Sequence, residues 1–158
     1  MGDGLFAAIG RLPEGSGIVM RHYSLPEAER RELFDRVRAT SKNHLLLLAG
    51  PAATALAWGA DGSHGRGPGG GLRSAPVHDL DEIGAAERDG ADLLFLSPLF
   101  ATRSHPGARP LGLKDFAALV RATRLPVIAL GGMDASRARD TAAAGAYGWA
   151  GIDAWLGG

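Results

Sequence analysis

Short apolar runs alternate with helix-like segments along this chain, and the alternation limits its fold more than any other feature. Helices are predicted between the runs, including one with Leu33, Phe34 and Val37 on a single face. Strands that alternate with helices pair in parallel through right-handed crossovers, so the pattern predicts an α/β fold. The predicted strands are residues 17–20, 45–49, 60–64, 72–78, 93–100, 126–130 and 147–152.

Seven strand–helix units in 158 residues leave little room for long loops. This spacing favours a small TIM-type (β/α) barrel over an open doubly wound sheet. A complete barrel has eight strands, but the chain opens with a helix-like segment at residues 5–9. We therefore predict a single domain over residues 1–158, with seven strands and the first strand missing. An upstream start, a partner chain over the gap and a seven-stranded closure would each explain this pattern, and we favour the upstream start.

The amino-acid composition argues against some classes of binding partner. Lys plus Arg and Asp plus Glu both number 17, so no net charge favours nucleic acid or an anionic membrane. The chain has no cysteine, which excludes disulfides and thiolate metal sites and is typical of a cytoplasmic protein. Its longest apolar run, residues 45–49, is too short to span a bilayer. We expect a cytoplasmic protein without nucleic-acid or membrane partners, and the sequence leaves homo-oligomer formation open.

Local signals mark several helix starts and one irregular segment. Ser24 to Glu27 is a predicted capping box, and Asp79 and Asp134 are predicted helix caps. Residues 59–71 are rich in glycine, and residues 65–70 match the dinucleotide pattern G-x-G-x-x-G. That pattern requires a helix to begin there, which Pro68 and the further glycines oppose. We interpret the segment as a mobile surface loop.

Paired glycines end the apolar strand at residues 126–130. Gly131 and Gly132 allow backbone N–H groups to approach phosphate oxygens, because no Cβ intervenes. The next strand ends at Gly151, Ile152 and Asp153, whose backbone donors complete a predicted phosphate cradle. Barrel enzymes often hold phosphate in the loops after their last two strands. The alternative is a tight strand-to-helix turn with no ligand.

A polar segment follows the strand at residues 93–100. Thr102 and Ser104 are hydroxyl donors suited to phosphate, and Arg103 and His105 can supply positive charge. The alternative is an ordinary turn containing Ser and Thr. We predict that this loop contributes to the same phosphate site.

These segments carry a family resemblance. Residues 72–155 resemble the C-terminal half of thiamine phosphate synthase and its TenI-like thiazole tautomerase relatives. Residues 18–64 resemble the family more faintly, through Arg21 and the segment at 60–64. The order and spacing of the pieces make the match specific. The matching pieces are Val77-His78, Gly90-Ala91-Asp92 and residues 98–102, 126–133 and 144–146.

The resemblance implies a role in thiamine biosynthesis. The family synthase joins a hydroxymethylpyrimidine diphosphate to a thiazole phosphate, requires Mg²⁺ and releases pyrophosphate. It implies Arg21, His78 and His105 as catalytic candidates and a phosphorylated thiazole or thiamine phosphate as ligand. The positions that fall on the thiazole-phosphate cradle are Thr102, Ser104, Gly131, Gly132, Ile152 and Asp153.

Several cationic positions of the family are altered here. Arg21 matches the Arg of the family's Gln-x-Arg-x-Lys motif, but Val19 and Tyr23 replace its Gln and Lys. The Lys expected after the Thr-containing loop is His105, which can carry charge only when protonated. The developing charge on a departing diphosphate needs cations around it. The chain is therefore expected to have weak synthase activity, or none.

The acidic positions of the family are lost as well. Ala49-Gly50 stands where the family has Asn-Asp, and Gly67 and Gly69 stand where it has Gln and a metal-binding Asp. Mg²⁺ prefers carboxylate oxygens, so the ligands for the family's Mg²⁺ are not evident and we predict no metal-binding residues. Asp153 replaces a usual Ser, and its carboxylate would repel phosphate unless it points away.

Three functions remain open at this stage. The first is a thiamine phosphate synthase or a degenerate relative that binds thiazole phosphate or thiamine phosphate. The second is a non-catalytic regulatory protein that uses the same cradle, or a TenI-like tautomerase, although Pro98 replaces the His of that activity. The third is an unrelated phosphate-sugar enzyme on the same fold.

Overall fold

The computed structural model describes residues 2–102 and 107–156. They fall into two compact units. The first unit consists of Met1–Gly65, Gly69–Arg73 and Trp155–Gly158, and the second unit consists of Arg66–Pro68 and Ser74–Ala154.

Strands and helices alternate through the described residues, as the sequence pattern predicts. The strands are β1 (Gly17–Met20), β2 (Leu45–Ala49), β3 (Gly62–His64), β4 (Leu72–Val77), β5 (Leu93–Leu96), β6 (Val127–Leu130) and β7 (Gly148–Ala150). The helices are α1 (Gly2–Gly10), α2 (Glu27–Thr40), α3 (Ala52–Trp58), α4 (Leu80–Arg88), α5 (Gly112–Arg121), α6 (Ala138–Ala143) and α7 (Asp153–Leu156). The chain thus places a helix before its first described strand, as predicted.

In the first unit, β1, β2 and β3 pair in parallel in sequence order. β2 is almost entirely apolar and its last four residues are buried, which is typical of a parallel strand covered on both faces. The predicted apolar face of α2 is confirmed, because Phe34 and Val37 are buried. These residues form a core with Ile9, Met20, Leu46, Leu48 and Ala55.

Asp61 fixes the amino end of this small sheet. Its carboxylate accepts hydrogen bonds from the N–H of Leu46 (2.7 Å) and from the guanidinium of Arg38 (2.9 Å). Its own N–H donates to the carbonyl of Leu46 (2.9 Å). β3 is therefore held in register with β2 by a side chain as well as by the ladder.

In the second unit, β4, β5, β6 and β7 pair in parallel, again in sequence order. Their apolar residues and the buried Phe116 of α5 form a second core. The predicted cap of α4 is confirmed, since the Asp79 carboxylate accepts from the N–H of Glu82 (2.9 Å). Such caps satisfy backbone donors that a helix terminus leaves unpaired.

Several predicted boundaries are wrong. Four strands are shorter than predicted, because residues at one or both of their ends belong to loops: those predicted at 60–64, 72–78, 93–100 and 147–152. α2 begins at Glu27 without a side-chain cap, so the Ser24 capping box does not form. The segment at 59–71 is not simply a surface loop: Gly62 is buried in β3, where a Cβ would collide with the carbonyl oxygen of Leu72.

Candidate functional site

Gly131 and Gly132, the glycine pair, follow β6 in the second unit. Their φ angles are 98° and 62°, in the region that favours glycine. A Cβ on Gly131 would lie 2.8 Å from the Cα of Pro98, and one on Gly132 would lie 2.5 Å from the carbonyl oxygen of Ala101. Both positions therefore require glycine, for backbone conformation and for space.

Backbone hydrogen bonds join the chain after β5 to the chain around the end of β6. The N–H of Leu99 donates to the carbonyl of Leu130 (2.9 Å), and the N–H of Phe100 donates to that of Gly131 (3.0 Å). Leu99 is fully buried beneath this contact. The two loops consequently form one packed surface at the carboxyl ends of β5 and β6.

Arg137 adds side-chain contacts to this surface. Its guanidinium donates to the carbonyl oxygen of Gly132 and lies over the ring of Phe100, 4.6 Å from the centroid. The predicted cap Asp134 accepts from the N–H groups of Ser136 (2.9 Å) and Arg137 (3.2 Å). α6 itself begins later, at Ala138, so Asp134 caps the turn that leads into it. Sequence reasoning did not single out Arg137.

The end of β7 lies beside the end of β6. Leu130 is in register with Ala150, so Gly131 and Gly151 follow neighbouring parallel strands at the same edge. A Cβ on Gly151 would lie 3.2 Å from the carbonyl oxygen of Met133, which shows how closely the two segments approach. Gly131 and Gly151 are thus brought together at one edge of the second unit.

The remaining predicted cradle residues are described less fully. Ile152 is exposed just after β7, and Thr102 follows the Ala101 segment that contacts Gly132. Ser104 and His105 lie outside the described residues, as does the side chain of Asp153. Phosphate binding at these positions stays a prediction.

His78 follows β4 and is held by a carboxylate. Its Nδ1 lies 2.7 Å from Oε2 of Glu82, whose Oε1 accepts from Arg66 (2.7 Å). Burial raises the pKa of Glu82, but the contacts with Arg66 and His78 outweigh it and lower that pKa. Arg66 is therefore engaged in an ion pair with Glu82.

Arg21 follows β1 in the first unit and lies near a buried histidine. Its guanidinium lies 5.7 Å from the centroid of the Tyr23 ring. Burial of His64, and then the charge of Arg21, lower the pKa of His64 to about 4. His22, between Arg21 and Tyr23, has φ 37°, a left-handed conformation that is uncommon for a residue other than glycine. The carboxyl end of β1 is therefore a sharply turned and positively charged region.

Arg30, in the first turns of α2, reaches the carboxyl end of β2. Its Nη2 donates to the carbonyl of Ala49 (2.5 Å), and its guanidinium lies 5.1 Å from the Tyr23 ring and 5.7 Å from the Trp58 ring. Sequence reasoning missed Arg30; its place in the first turns of a helix that follows a strand was the available signal. Arg30, Tyr23 and Trp58 line a cavity of about 240 Å³, whose other lining residues are Leu25, Glu27, Pro51 and Thr54.

Gly50 and Gly69, in the first unit, stand where the resemblance implies acidic residues, and a side chain is disfavoured at both for different reasons. Gly50 has φ 125°, so an Asp there would be strained. A Cβ on Gly69 would collide with the Cβ of Ala52. Within the described residues, no three His, Cys, Asp or Glu side chains are grouped to hold a metal ion. The same part of the chain contains no helix that is both long and apolar enough to cross a membrane.

The sequence pattern of the TMP-TENI family, thiamine monophosphate synthase, matches residues 74–155. A protein of Aquifex aeolicus with the provisional name thiamine-phosphate synthase 2 is 36% identical over 152 residues, covering 88% of this chain and 82% of that protein. The thiamine-phosphate synthase of Chloroflexus aurantiacus is 39% identical over 84 residues, which cover 52% of this chain and 39% of that protein. The family pattern thus covers the part of the chain that contains Gly131, Gly132 and Gly151.

The fold has a close counterpart among solved structures. Thiamine phosphate pyrophosphorylase from Pyrococcus furiosus superposes with a TM-score of 0.83 and 28% identity, over 99% of this chain and 81% of that one. The predicted α/β fold of the TIM-barrel type is confirmed by this likeness. The family pattern and the Aquifex relative agree with it, and the chain belongs to the thiamine monophosphate synthase family.

Proposed function

We propose that this chain acts in thiamine phosphate synthesis and binds the phosphate group of a phosphorylated thiazole, or of thiamine phosphate, in its second unit. The cradle consists of backbone N–H groups around the glycine pair and around Gly151 and Ile152, with the Thr102 hydroxyl as a further donor. Ser104, His105 and Asp153 belong to the same proposed site. The reaction class is the transfer that joins hydroxymethylpyrimidine diphosphate to thiazole phosphate, in the cytoplasm.

One observation carries this proposal: the glycine pair is packed so closely against the chain after β5 that no side chain fits at either position. Positive φ angles at both residues orient successive peptide groups in a way that side chains disfavour. Backbone donors arranged in this manner bind phosphate oxygens, and barrel enzymes commonly use this edge for it.

The catalytic candidates differ in the contacts that fix their side chains. Glu82 holds the His78 ring by its Nδ1, which fixes the ring orientation and leaves Nε2 for a proton or a ligand oxygen. Arg21 supplies a permanent cation where charge would develop on a departing diphosphate. His105 is a further candidate, which can supply positive charge only when protonated.

The family reaction requires Mg²⁺, which would neutralise the charge of the diphosphate. The residues present here do not supply the carboxylate ligands that Mg²⁺ prefers. Gly50 and Gly69 stand where carboxylates are expected; the φ of Gly50 would strain a side chain, and a side chain at Gly69 would collide with Ala52. We therefore assign no step to a metal ion.

Calorimetric titration of the purified chain with thiazole phosphate and with thiamine phosphate tests the proposal. We expect binding of at least one of them, and we expect Gly132→Ala to abolish it. Turnover with hydroxymethylpyrimidine diphosphate and Mg²⁺ should be weak or absent. If neither phosphate ester binds, the proposed cradle function is wrong.

A second candidate is a ligand-binding protein of the same pathway that does not catalyse the transfer. The glycines at positions 50 and 69 favour it, because a carboxylate residue would be strained at Gly50 and would collide with Ala52 at Gly69. Binding of thiamine phosphate without any turnover, with or without Mg²⁺, would select this candidate. A normal Mg²⁺-dependent rate would exclude it.

A further inference from the structure

Two successive peptide groups at the glycine pair are held by their carbonyl oxygens. The carbonyl of Gly131 accepts a hydrogen bond from the N–H of Phe100 (3.0 Å). The carbonyl of Gly132 accepts instead from a side chain, the guanidinium of Arg137. The first peptide is thus fixed by the backbone of a neighbouring loop, and the second by one residue that a point substitution can remove.

The other side of these two peptides presents N–H groups. Because a trans peptide is planar, its N–H points away from its C=O. The N–H groups of Gly132 and Met133 are therefore turned away from the groups that hold the two carbonyls. Within residues 2–102 and 107–156, neither N–H donates to another backbone group. Both are consequently available as donors to an anion, as the proposed cradle requires.

Met133 lies between the glycine pair and the end of β7. Its carbonyl oxygen is 3.2 Å from the position that a Cβ on Gly151 would take. Its side chain is buried, with Sδ 3.7 Å from the hydroxyl oxygen of Thr141. The N–H of Met133 therefore belongs to the segment that joins the two halves of the proposed cradle, and its orientation depends on the peptide that Arg137 holds.

Arg137 is itself fixed at its backbone and at its side chain. Its N–H donates to the carboxylate of Asp134 (3.2 Å), and its carbonyl accepts from the N–H and the hydroxyl of Thr141 (3.1 and 2.8 Å). The guanidinium lies over the ring of Phe100, 4.6 Å from the centroid, with Nη1 3.3 Å from the position of a Cβ on Gly132. In the described part of the chain it forms no ion pair. Its printed hydrogen bond is directed at a carbonyl and not at a carboxylate.

We infer that Arg137 is a positioning residue for phosphate: it holds the carbonyl of Gly132 and thereby aims the N–H of Met133 into the cradle. The inference rests on the proposed function, because it concerns how one donor of that cradle is oriented. Glycine leaves the adjoining peptide groups free to rotate, and ordering them when a ligand binds costs affinity. Arg137 orders one of them in advance, and the phosphate contacts the N–H and not the guanidinium.

The test follows backbone amide signals by NMR in the isotopically labelled full chain, titrated with thiazole phosphate and, separately, with inorganic phosphate. We expect both ligands to shift the signals of Gly132 and Met133. Arg137→Gln should weaken binding of both about tenfold, because a hydrogen bond to a charged ligand is lost. It should also remove the Met133 shift and leave that of Gly132. Arg137→Lys, whose ammonium can donate to the same carbonyl, should restore part of both effects.

Arg139→Gln is the matched control for charge, because Arg139 is exposed on α6 close to Arg137 in the chain. Salt screens an exposed charge of this kind, so the affinity of the control should stay within about twofold of that of the unchanged chain. Thermal unfolding of each variant separates lost affinity from lost structure. Arg137→Lys tests the same contact if Arg137→Gln does not fold.

Four results would overturn the inference. They are unchanged affinity in Arg137→Gln, an equal loss in Arg139→Gln, a Met133 signal that phosphate does not shift, and a loss in Arg137→Gln with the Met133 shift intact, which would make Arg137 a direct ligand. If inorganic phosphate behaves as expected but thiazole phosphate does not bind, the role of Arg137 stands and the thiazole assignment is wrong. If neither binds, the cradle and the role of Arg137 are both wrong.

Discussion

The two units offer an anion different chemistry at the carboxyl ends of their strands. In the second unit, the groups available after β6 and β7 are mainly backbone, held by glycines that leave no space for a Cβ. In the first unit, the groups available after β1 and β2 are the long side chains of Arg21 and Arg30, which lie over the Tyr23 ring. One unit depends on close packing and the other on charge.

This difference determines how each site can change. A backbone cradle is lost when a methyl group is added, because the chain must move to accommodate it. A pair of arginines tolerates small changes in packing but responds to neighbouring charges and to salt. The family pattern matches residues 74–155, nearly all of which belong to the second unit.

The largest expected effect is steric. Gly132→Ala should lower the free energy of unfolding by about 2–4 kcal/mol, from crowding and a positive φ, and abolish binding of phosphate esters. Gly112→Ala is the control, because Gly112 has φ 70° but no atom within 4 Å of its Cβ position. Urea unfolding measures both variants. Equal losses would mean that crowding contributes nothing and would remove the contrast between the units.

The next effect is electrostatic and belongs to the first unit. The unfolded chain protonates His64 near pH 6.5, whereas the folded chain does so only near pH 4, because burial and Arg21 lower the pKa of His64. The unfolded state therefore binds more protons between these values, and stability should fall by roughly 3 kcal/mol as pH drops through this window. His64→Gln should flatten this part of the stability curve. The half-buried His44, changed to Gln, is the control, and an unchanged slope in His64→Gln would refute the assignment.

A smaller effect concerns Asp61. Burial raises its pKa, but the hydrogen bond from Leu46 and the Arg38 guanidinium outweigh burial and lower it. The stabilisation is present above about pH 4 and is lost as pH falls through the lowered pKa. Asp61→Ala should cost about 1–2 kcal/mol at pH 7, since partial exposure weakens the interaction. Asp35→Ala, which removes an exposed pair with Arg31, should cost about 0.5 kcal/mol or less, and a similar cost for both would contradict this account.

The smallest effect is at Glu82 in the second unit. Glu82→Gln weakens contacts with Arg66 and His78 that are partly exposed, so we expect a loss of about 0.5–1 kcal/mol in thermal or urea unfolding. Asp81→Asn removes another charge from the first turn of α4 and controls for the helix dipole. A loss no larger than that of Asp81→Asn would show that the ion pairs add no stability.

The alternation of strands and helices was readable from the sequence because its signals are local. The apolar run of β2, the buried face of α2 and the Asp79 cap each depend on residues within a few positions of one another. The Ser24 capping box failed because α2 begins without a side-chain cap. Gly131 and Gly151 were predicted to lie together because parallel strands end at one edge, and register confirms it.

The sequence by itself determined the fold class and the glycine-rich edge of the second unit, since both periodicity and paired glycines are features of neighbouring residues. Only the tertiary structure decided which cationic side chains lie at the carboxyl ends of the strands in the first unit. Arg30 reaches a carbonyl 19 residues away, and Gly69 is closed by Ala52. Such contacts form when helices pack onto a sheet. Packing brings together residues that are far apart in the sequence, and no local pattern in the sequence marks them as neighbours.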